Sequence, residues 1–264
     1  MTSTLTDTPV DDGLVYLSPP TAYRMADEWY GLACAEHFWF RWRLAALRAL
    51  LRGDPPAGPF LEVGCGHGVA RAQLEEAFDC PIHGCDVNAA ALRRAPRGRG
   101  RLYFYDVHQR RPEWARHFGT IFLLDTLEHI EQPVAFLRSV AFHLRTGGRL
   151  VLNVPAFQWL FGAYDRAAGH VKRYTAGVLR QELAAAGLRL TRWGYWGLTL
   201  LPFAVLRKWL LAGTPPEQTI QRGFEPPSRL ADACLRALMR LECALRPLHR
   251  AGTSLAAVAR KDTQ

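Results

Sequence analysis

From Phe60 onward the chain alternates between two patterns. Short apolar runs at 60–63, 82–86, 102–105, 120–124 and 149–154 read as strands buried on both faces. Between them, at about 68–78, 88–95 and 131–145, apolar residues return at helical spacing. In the last of these helices Val134, Leu137, Ala141 and Leu144 share a face, Pro133 suits the first turn and Gly147-Gly148 is the stop. Another helix, 175–186, starts behind Thr175 and ends at Gly187, and the strand-like run "LRLTRWGYW" (188–196) follows. Strands alternating with helices predict an α/β fold whose mostly parallel sheet is covered on both faces.

The flanks differ from this core. Tyr23 to Leu51 reads as helix, with aromatic residues crowded into "HFWFRWR" (37–43), and "GDPPAGP" (53–59) breaks it. About fifty residues of helical character, interrupted by "GTPPEQTIQRGFEPPS" (213–228), separate Tyr195 from a last strand, "GTSLAAVARK" (252–261). Within them "WGLTLLPFAVLRKWLLAG" (196–213) is apolar apart from Arg207-Lys208. It is too short and too charged for the roughly twenty apolar residues of a membrane-spanning helix. Two uses stay open for it. It could lie at a bilayer surface as an amphipathic hairpin, or serve as a helical cap over a substrate pocket or as a dimer contact. The stretch 202–250 carries eight basic and four acidic residues, which favours an acidic surface.

Composition narrows the class. A chain of 264 residues supports one sizeable core, and 49% hydrophobic with 22% charged residues is ordinary for a globular protein. Six cysteines without a CxxC pair are expected to be reduced thiols in a cytoplasmic setting. The polar, acidic start "MTSTLTDTPVDDGL" has neither the basic nor the apolar region of a secretory signal. The net charge of +9 comes almost wholly from arginine, since lysine occurs only at 172, 208 and 261. The densest run, "RRAPRGRGR" (93–101), reads either as a solvated loop or as an anion-binding surface for RNA or acidic lipid. With no appended RNA-binding module and no basic run interleaved with aromatics, nucleic acid is not the expected partner.

The candidate chemistry begins at "FLEVGCGHGVA" (60–70), where Gly64, Gly66 and Gly68 follow the first core strand and lead into a helix. That is where ligands sit in open α/β sheets. The spacing GxGxG departs from the dinucleotide GxGxxG, and Glu62 before the turn suits a cation better than a pyrophosphate. Asp86, at the end of the second strand in "GCDV", could accept bonds from both hydroxyls of a ribose. Asp106, at the end of the third in "YFYDVH", could meet an adenine amino group, with Val107 beside the ring. Each acid alone also reads as a helix cap. Together, ribose, adenine and a cationic amino-acid end describe S-adenosylmethionine.

The segments "FLEVGCGHG", "GCDVN", "YDVH", "FGTIFLLDTLEHI" and "LRTGGRLVLNVPA" resemble those of the class I S-adenosylmethionine-dependent methyltransferases, over about residues 58–156. The resemblance implies a Rossmann-like seven-stranded, mostly parallel sheet whose last strand, antiparallel, lies beside 188–196. It implies an N-terminal tail and helical lid at 1–56, a donor-binding core at 57–196, a helical insertion at 197–251 and the last strand with a tail at 252–264. The donor site it implies comprises Glu62, Gly64, Cys65, Gly66, Gly68, Asp86, Val87, Asp106, Val107 and Asp125. "EHFWFRWR" would face the site, offering His37, Trp39 and Arg43 to an acceptor.

Methyl transfer needs a positioned nucleophile and a base. "LLDTLEHIEQP" places Asp125, Glu128 and His129 on one helical face, able to chelate a divalent cation. It resembles the ExxEH metal motif of ubiquinone-pathway O-methyltransferases and small-RNA 2′-O-methyltransferases, with Asp in the first place. The structural alternative, in which Glu128 and His129 tie the helix to a neighbouring loop, is favoured over a metal. "FQWLFGAYDRAAGHVKRYT" (157–175) resembles the AYDxxxGHxRRY loop of bacterial relatives with an EHFWFR-like start. It offers His170 as the base, or as a further metal ligand, with His129 second. Tyr164, Arg173 and Tyr174 are offered to the acceptor. Arg173 suits an anionic acceptor or, equally, a loop anchor paired with Asp165. The function expected is methyl transfer to oxygen on a small-molecule or lipid-linked acceptor, with peripheral membrane contact open. A metal-assisted RNA methyltransferase and an inactive donor-binding partner subunit are the alternatives.

Overall fold

In the computed structural model, residues 14–19, 35–215, 218–219, 228–245 and 248–262 are described. They build one eight-stranded sheet with helices on both faces. The strands are β1 (Val15–Tyr16), β2 (Phe60–Val63), β3 (His83–Asp86), β4 (Leu102–Phe104), β5 (Phe118–Leu124), β6 (Leu144–Pro155), β7 (Leu188–Trp196) and β8 (Ser254–Lys261). Their spatial order is β1-β4-β3-β2-β5-β6-β8-β7. All pairs are parallel except those of β8, which lies antiparallel between β6 and β7. The strand order reverses between β2 and β5, and the carboxyl ends of those two strands frame the crevice where such folds bind ligands.

The helices are α1 (Phe38–Leu50), α2 (Val69–Phe78), α3 (Ala89–Arg94), α4 (Pro133–His143), α5 (Ala163–Ala167), α6 (Ala176–Ala185), α7 (Leu201–Leu210) and α8 (Arg229–Leu245). Successive residues of a strand point to opposite faces. In β5, Ile121 and Leu123 therefore join one core layer with Leu137 and Val140 of α4 and Leu179 and Leu183 of α6. Phe122 and Leu124 join the other, with Trp42 and Leu47 of α1 and Leu74 of α2. Every residue of β5 is buried, which explains its unbroken apolar run.

The architecture is the Rossmann-like one expected, with three corrections. The sheet has eight strands, not seven, because Val15 and Tyr16 pair with Tyr103 and Phe104 at the edge. Two residues leave no readable alternation. Gly147-Gly148 does not end α4. The helix stops at His143, β6 begins at Leu144, and residues 145–148 loop out where the pairing jumps from Phe118↔Leu144 to Thr120↔Arg149. Of the helix expected over 23–51, α1 is the observed part, and residues 20–34 lie outside the described ones. Its cap is His37, whose Nδ1 accepts from the Trp39 N–H at 3.2 Å.

In the insertion, Leu235, Met239 and Cys243 of α8 pack on the α1 layer. The buried Glu242 carboxylate accepts from the backbone N–H groups of Gly197, Leu198 and Thr199 and from the Thr199 hydroxyl, at 2.8–3.1 Å. It thereby caps the turn that starts α7. Cys65, Cys80, Cys85, Cys234 and Cys243 are free thiols. Among the described residues no helix is long and apolar enough to cross a membrane.

Candidate functional site

The glycine turn after β2 depends on left-handed backbone. Gly64 has φ +71°, and a Cβ there would lie 2.4 Å from Thr126 Oγ1, so only glycine fits. Gly66 lines the cleft beyond it. Gly68 does not; it is the αL residue in front of α2, with φ +73°. Asp86 organises the turn from the neighbouring strand. Its Oδ2 accepts from the Gly66 N–H at 2.7 Å and its Oδ1 from the Asn88 N–H at 2.8 Å. A carboxylate has about four acceptor positions, so capacity remains for a ligand beside the Gly66, Asn88 and Val87 N–H donors. Burial raises the Asp86 pKa against the pull of those N–H donors. Asp106 caps the turn 107–109 through Oδ1 to the His108 N–H at 2.9 Å, and its other face lines the cleft with Val107, Val87 and Cys65.

Two buried groups, one acidic and one basic, face this cleft with atoms unpartnered. Glu62 is 1% exposed and its Oε2 has no hydrogen-bond partner. Burial first pushes its pKa up to about 8, against the nearby Arg43 and Arg71 charges. Arg43 is 4% exposed and its Nη2 is likewise unpartnered. Its Nη1 donates to Asp125 Oδ2 at 2.5 Å, and its guanidinium lies over the Trp39 and Phe40 rings. Asp125, at φ +54° after β5, also accepts from Asn153 Nδ2 at 2.7 Å. Arg43, expected on the acceptor side, thus belongs to the cleft, while His37 and Trp39 line a second cavity.

That second cavity, of about 600 Å³, adjoins the cleft, and Asp125, Glu128 and His170 line both. Its far wall is apolar, formed by Leu200, Phe203 and Leu210 near α7 and by Leu235 and Leu238 of α8. Tyr164 and Arg207 are polar members, with the Arg207 guanidinium 4.2 Å from the Tyr164 ring centroid. Sequence reasoning named none of these wall residues individually, and met Arg207 only as a charge interrupting the apolar run 196–213. The apolar spacing in 196–213 was the available signal.

At the junction, His170 Nδ1 lies 2.9 Å from Asp165 Oδ1. Burial raises the Asp165 pKa, but the bonds from His170 and Arg173 hold it at about 2. An ionised carboxylate only accepts, so Nδ1 carries the hydrogen and Nε2 is left to face the cavities. Arg173 donates through Nε to the same Asp165 oxygen at 2.7 Å and through Nη1 to the Ala156 carbonyl at 3.2 Å. Although Arg173 borders the second cavity, the observed arrangement is the loop anchor. Tyr174 is a correction: it is fully buried, donates to the Leu127 carbonyl and lines neither cavity.

Of the possible cation-binding set Asp125, Glu128 and His129, with His170 as a further ligand, Asp125 is not brought into the cluster. Asp125 is held by Arg43 and Asn153. The three groups whose ligand atoms lie within 4.8 Å of one another are Glu128, His129 and His170. His129 Nδ1 donates to the Gly169 carbonyl at 3.2 Å, and the Glu128 carbonyl accepts from the Val171 N–H at 2.7 Å. Both tie this turn to the 157–175 loop. Burial, then the His170 charge, lowers the His129 pKa to about 4. Burial, then Asp125, holds the Glu128 carboxyl well above the usual range. Its Oε1 is 3.9 Å from His170 Nε2, beyond hydrogen-bond reach. The arginine run 93–101 lies outside both cavities and is partly spent within the chain. Arg99 pairs with Asp79 at 2.6 Å, and Arg93 donates to the Tyr16 hydroxyl at 3.1 Å.

Comparison with known proteins places this geometry. Residues 37–192 match the family described as "Methyltransferase domain". A ubiquinone biosynthesis O-methyltransferase of Parvibaculum lavamentivorans is 27% identical over 148 residues, which cover 50% of this chain and 58% of that protein. An uncharacterised protein of Mycobacterium tuberculosis is 35% identical over 155 residues, covering 56% of this chain and 52% of its own. The chain therefore spans a little over half the length of these curated relatives. Among solved structures, a chain from the complex between the Haloferax volcanii Trm112 methyltransferase activator and a candidate methyltransferase superposes with TM-score 0.61. It is 14% identical, over 92% of this chain and all of that one. The S-adenosylmethionine-dependent methyltransferase of Mesorhizobium loti superposes with TM-score 0.52, at 18% identity, over 81% of this chain and 95% of that one.

Proposed function

The chain belongs to the methyltransferase-domain family of class I S-adenosylmethionine-dependent enzymes, and on that premise we propose that it methylates an oxygen of a small-molecule or lipid-linked acceptor with an apolar body. The observation that carries this reading is the pair of adjoining cavities with His170 at their junction.

The cleft fits S-adenosylmethionine through its own unsatisfied groups. The Glu62 oxygen and the Arg43 nitrogen, both buried and unpartnered, complement the ammonium and carboxylate of an amino-acid end. Asp86 has acceptor positions left for ribose hydroxyls, and Asp106 with Val107 would hold an adenine edge and face. Bound there, S-adenosylmethionine supplies a methyl group already activated by its sulfonium charge. The chain's part is to position the acceptor hydroxyl against the leucine-walled cavity and to remove its proton. His170 Nε2 does so as general base, while the Asp165 carboxylate fixes the ring and stabilises its protonated form. Glu128, His129 and His170 could alternatively hold a divalent cation that acidifies the hydroxyl. Activity is expected to survive exhaustive chelation. Loss of activity restored by added zinc or magnesium would reassign the trio to a cation.

The acceptor class is tested with methyl-labelled donor and an extract of the host cell, partitioned into organic, aqueous and macromolecular fractions. Label in organic-soluble compounds supports the proposal, and label confined to RNA or protein overturns it.

Glu62 predicts a pH dependence. In the donor-free chain its carboxyl is protonated below about 8, and pairing with a cation requires the ionised form. Donor binding at neutral pH should therefore release close to one proton, and affinity should rise towards pH 8 and fall again above it as the donor's own ammonium loses its proton. A raised carboxyl pKa also means that the donor-free chain loses stability as pH climbs from about 4.5 through about 8. Calorimetry in buffers of different ionisation enthalpy reads the proton count. A count of zero would remove Glu62 from the ammonium.

A further inference from the structure

The outer surface of the two insertion helices does something the methyl-transfer reading leaves unused. In α8, Leu230 (75% exposed), Leu241 (56%) and Leu245 (77%) point away from the protein. With Ala233, Ala237 and Ala244, also exposed, they recur every three to four residues and form one apolar stripe along the full helix. This is not the face that packs on α1, which carries Leu235, Met239 and Cys243. At 100° per residue, Arg229, Arg236 and Arg240 follow one another along one border of the stripe. On the opposite border Ala231, Cys234 and Leu238 line the second cavity.

α7 repeats the arrangement across the cavity mouth. Phe203, Leu206 and Leu210 line the cavity, yet are 50%, 55% and 71% exposed, so the wall is continuous with the surface. Trp209 beside them is 77% exposed, and Trp159, whose carbonyl accepts from Lys208, is 56% exposed. A water-facing role would not place so much apolar area next to two exposed indoles.

We infer that this face docks on the surface of a bilayer bearing anionic headgroups, with the stripe of α8 and the tip of α7 seated at the acyl boundary. The inference rests on the proposed function only in that the cavity mouth opens onto the docked face, where an acceptor dissolved in the membrane would enter. The occupant follows from charge and composition. An apolar stripe bordered by a row of arginines matches the layering of hydrocarbon and anionic headgroup, and tryptophans favour that boundary. α7 carries Arg207 and Lys208 and no acid, and within α8 Asp232 is already paired with Arg236 at 2.7 Å. Basic residues near such a surface are attracted to it over a range that falls off within a Debye length. Binding should therefore be stronger on anionic vesicles and weaker at high salt.

The test is flotation of the full chain with vesicles of phosphatidylcholine alone and of phosphatidylcholine mixed with phosphatidylglycerol, without donor or acceptor. The expected result is flotation with the anionic vesicles, reduced by salt, with tryptophan fluorescence quenched by brominated acyl chains. The triple variant Trp209→Ser, Leu241→Ser, Leu245→Ser, none of whose positions lines either cavity, should partition at least about tenfold less. Arg229→Glu with Arg240→Glu should lose the preference for anionic lipid. Donor affinity, measured in parallel, should be unchanged in both variants. A chain that stays in solution with every vesicle overturns the inference, as does equal flotation of the triple variant. A native dimer that this variant converts to a monomer would assign the face to a second copy and equally overturn it. Because donor binding is read separately, its failure would count against the proposed function and not against the docking.

Discussion

Replacing His170 with alanine is expected to lower turnover about 100- to 10,000-fold, the usual contribution of a positioned base. Donor affinity should stay within about twofold, because the imidazole sits at the junction with the second cavity, away from Glu62, Asp86 and Asp106 on the proposed reading. Asp165 sharpens this expectation. Its carboxylate holds Nδ1 at 2.9 Å and is itself kept ionised by Arg173, so His170 is preset in the tautomer that accepts a proton at Nε2. Single-turnover kinetics at saturating donor measure the effect. A variant with full activity would retire His170 as the base and leave the Asp165 pair as a loop fastener.

The second large effect is on binding. Asp86→Ala removes a buried carboxylate that accepts the Gly66 and Asn88 N–H groups and retains acceptor positions towards the cleft. Charge-assisted hydrogen bonds contribute about 1.5–3 kcal/mol each, so losing the ligand-facing ones should weaken donor binding by about two orders of magnitude or more. Asp86→Asn, which keeps the shape and one acceptor oxygen, should fall between. Calorimetric titration with S-adenosylmethionine or its demethylated product reads both variants, with circular dichroism as the control for folding. Unchanged affinity in a folded Asp86→Ala chain would take Asp86 away from the ribose.

The cleft beyond β2, β3 and β4 was legible in the sequence because its determinants are local. Glu62, Gly64 and Gly66 stand within five residues of one strand end, Asp86 ends the next strand, and Asp106 stands two residues past the end of the one after. The alternating pattern predicts a mostly parallel sheet whose ligands sit beyond the strand carboxyl ends, so the crevice can be placed at the glycine turn before any contact is known. Arg43 was assigned to the wrong cavity because the direction of its side chain depends on how α1 crosses the sheet, and its partner Asp125 is 82 positions away. Tyr174 and His170 stand four residues apart in one loop, yet one is core and the other faces the cavities. That outcome is decided by the backbone pairing of Tyr174 with Pro155 and Phe157, which periodicity does not encode. The exposed stripe of α8 was hidden by its second apolar face, since a helix apolar on two sides reads simply as a buried one.

The carboxylate of Glu242 grips three amide hydrogens and one hydroxyl at the root of α7 while riding on α8. The two helices are consequently fastened together at that root, since prising them apart would strip a buried carboxylate of all four of these donors. The second cavity therefore has two walls pinned at one end, with its open side at the rim where Phe203 and Leu210 meet solvent.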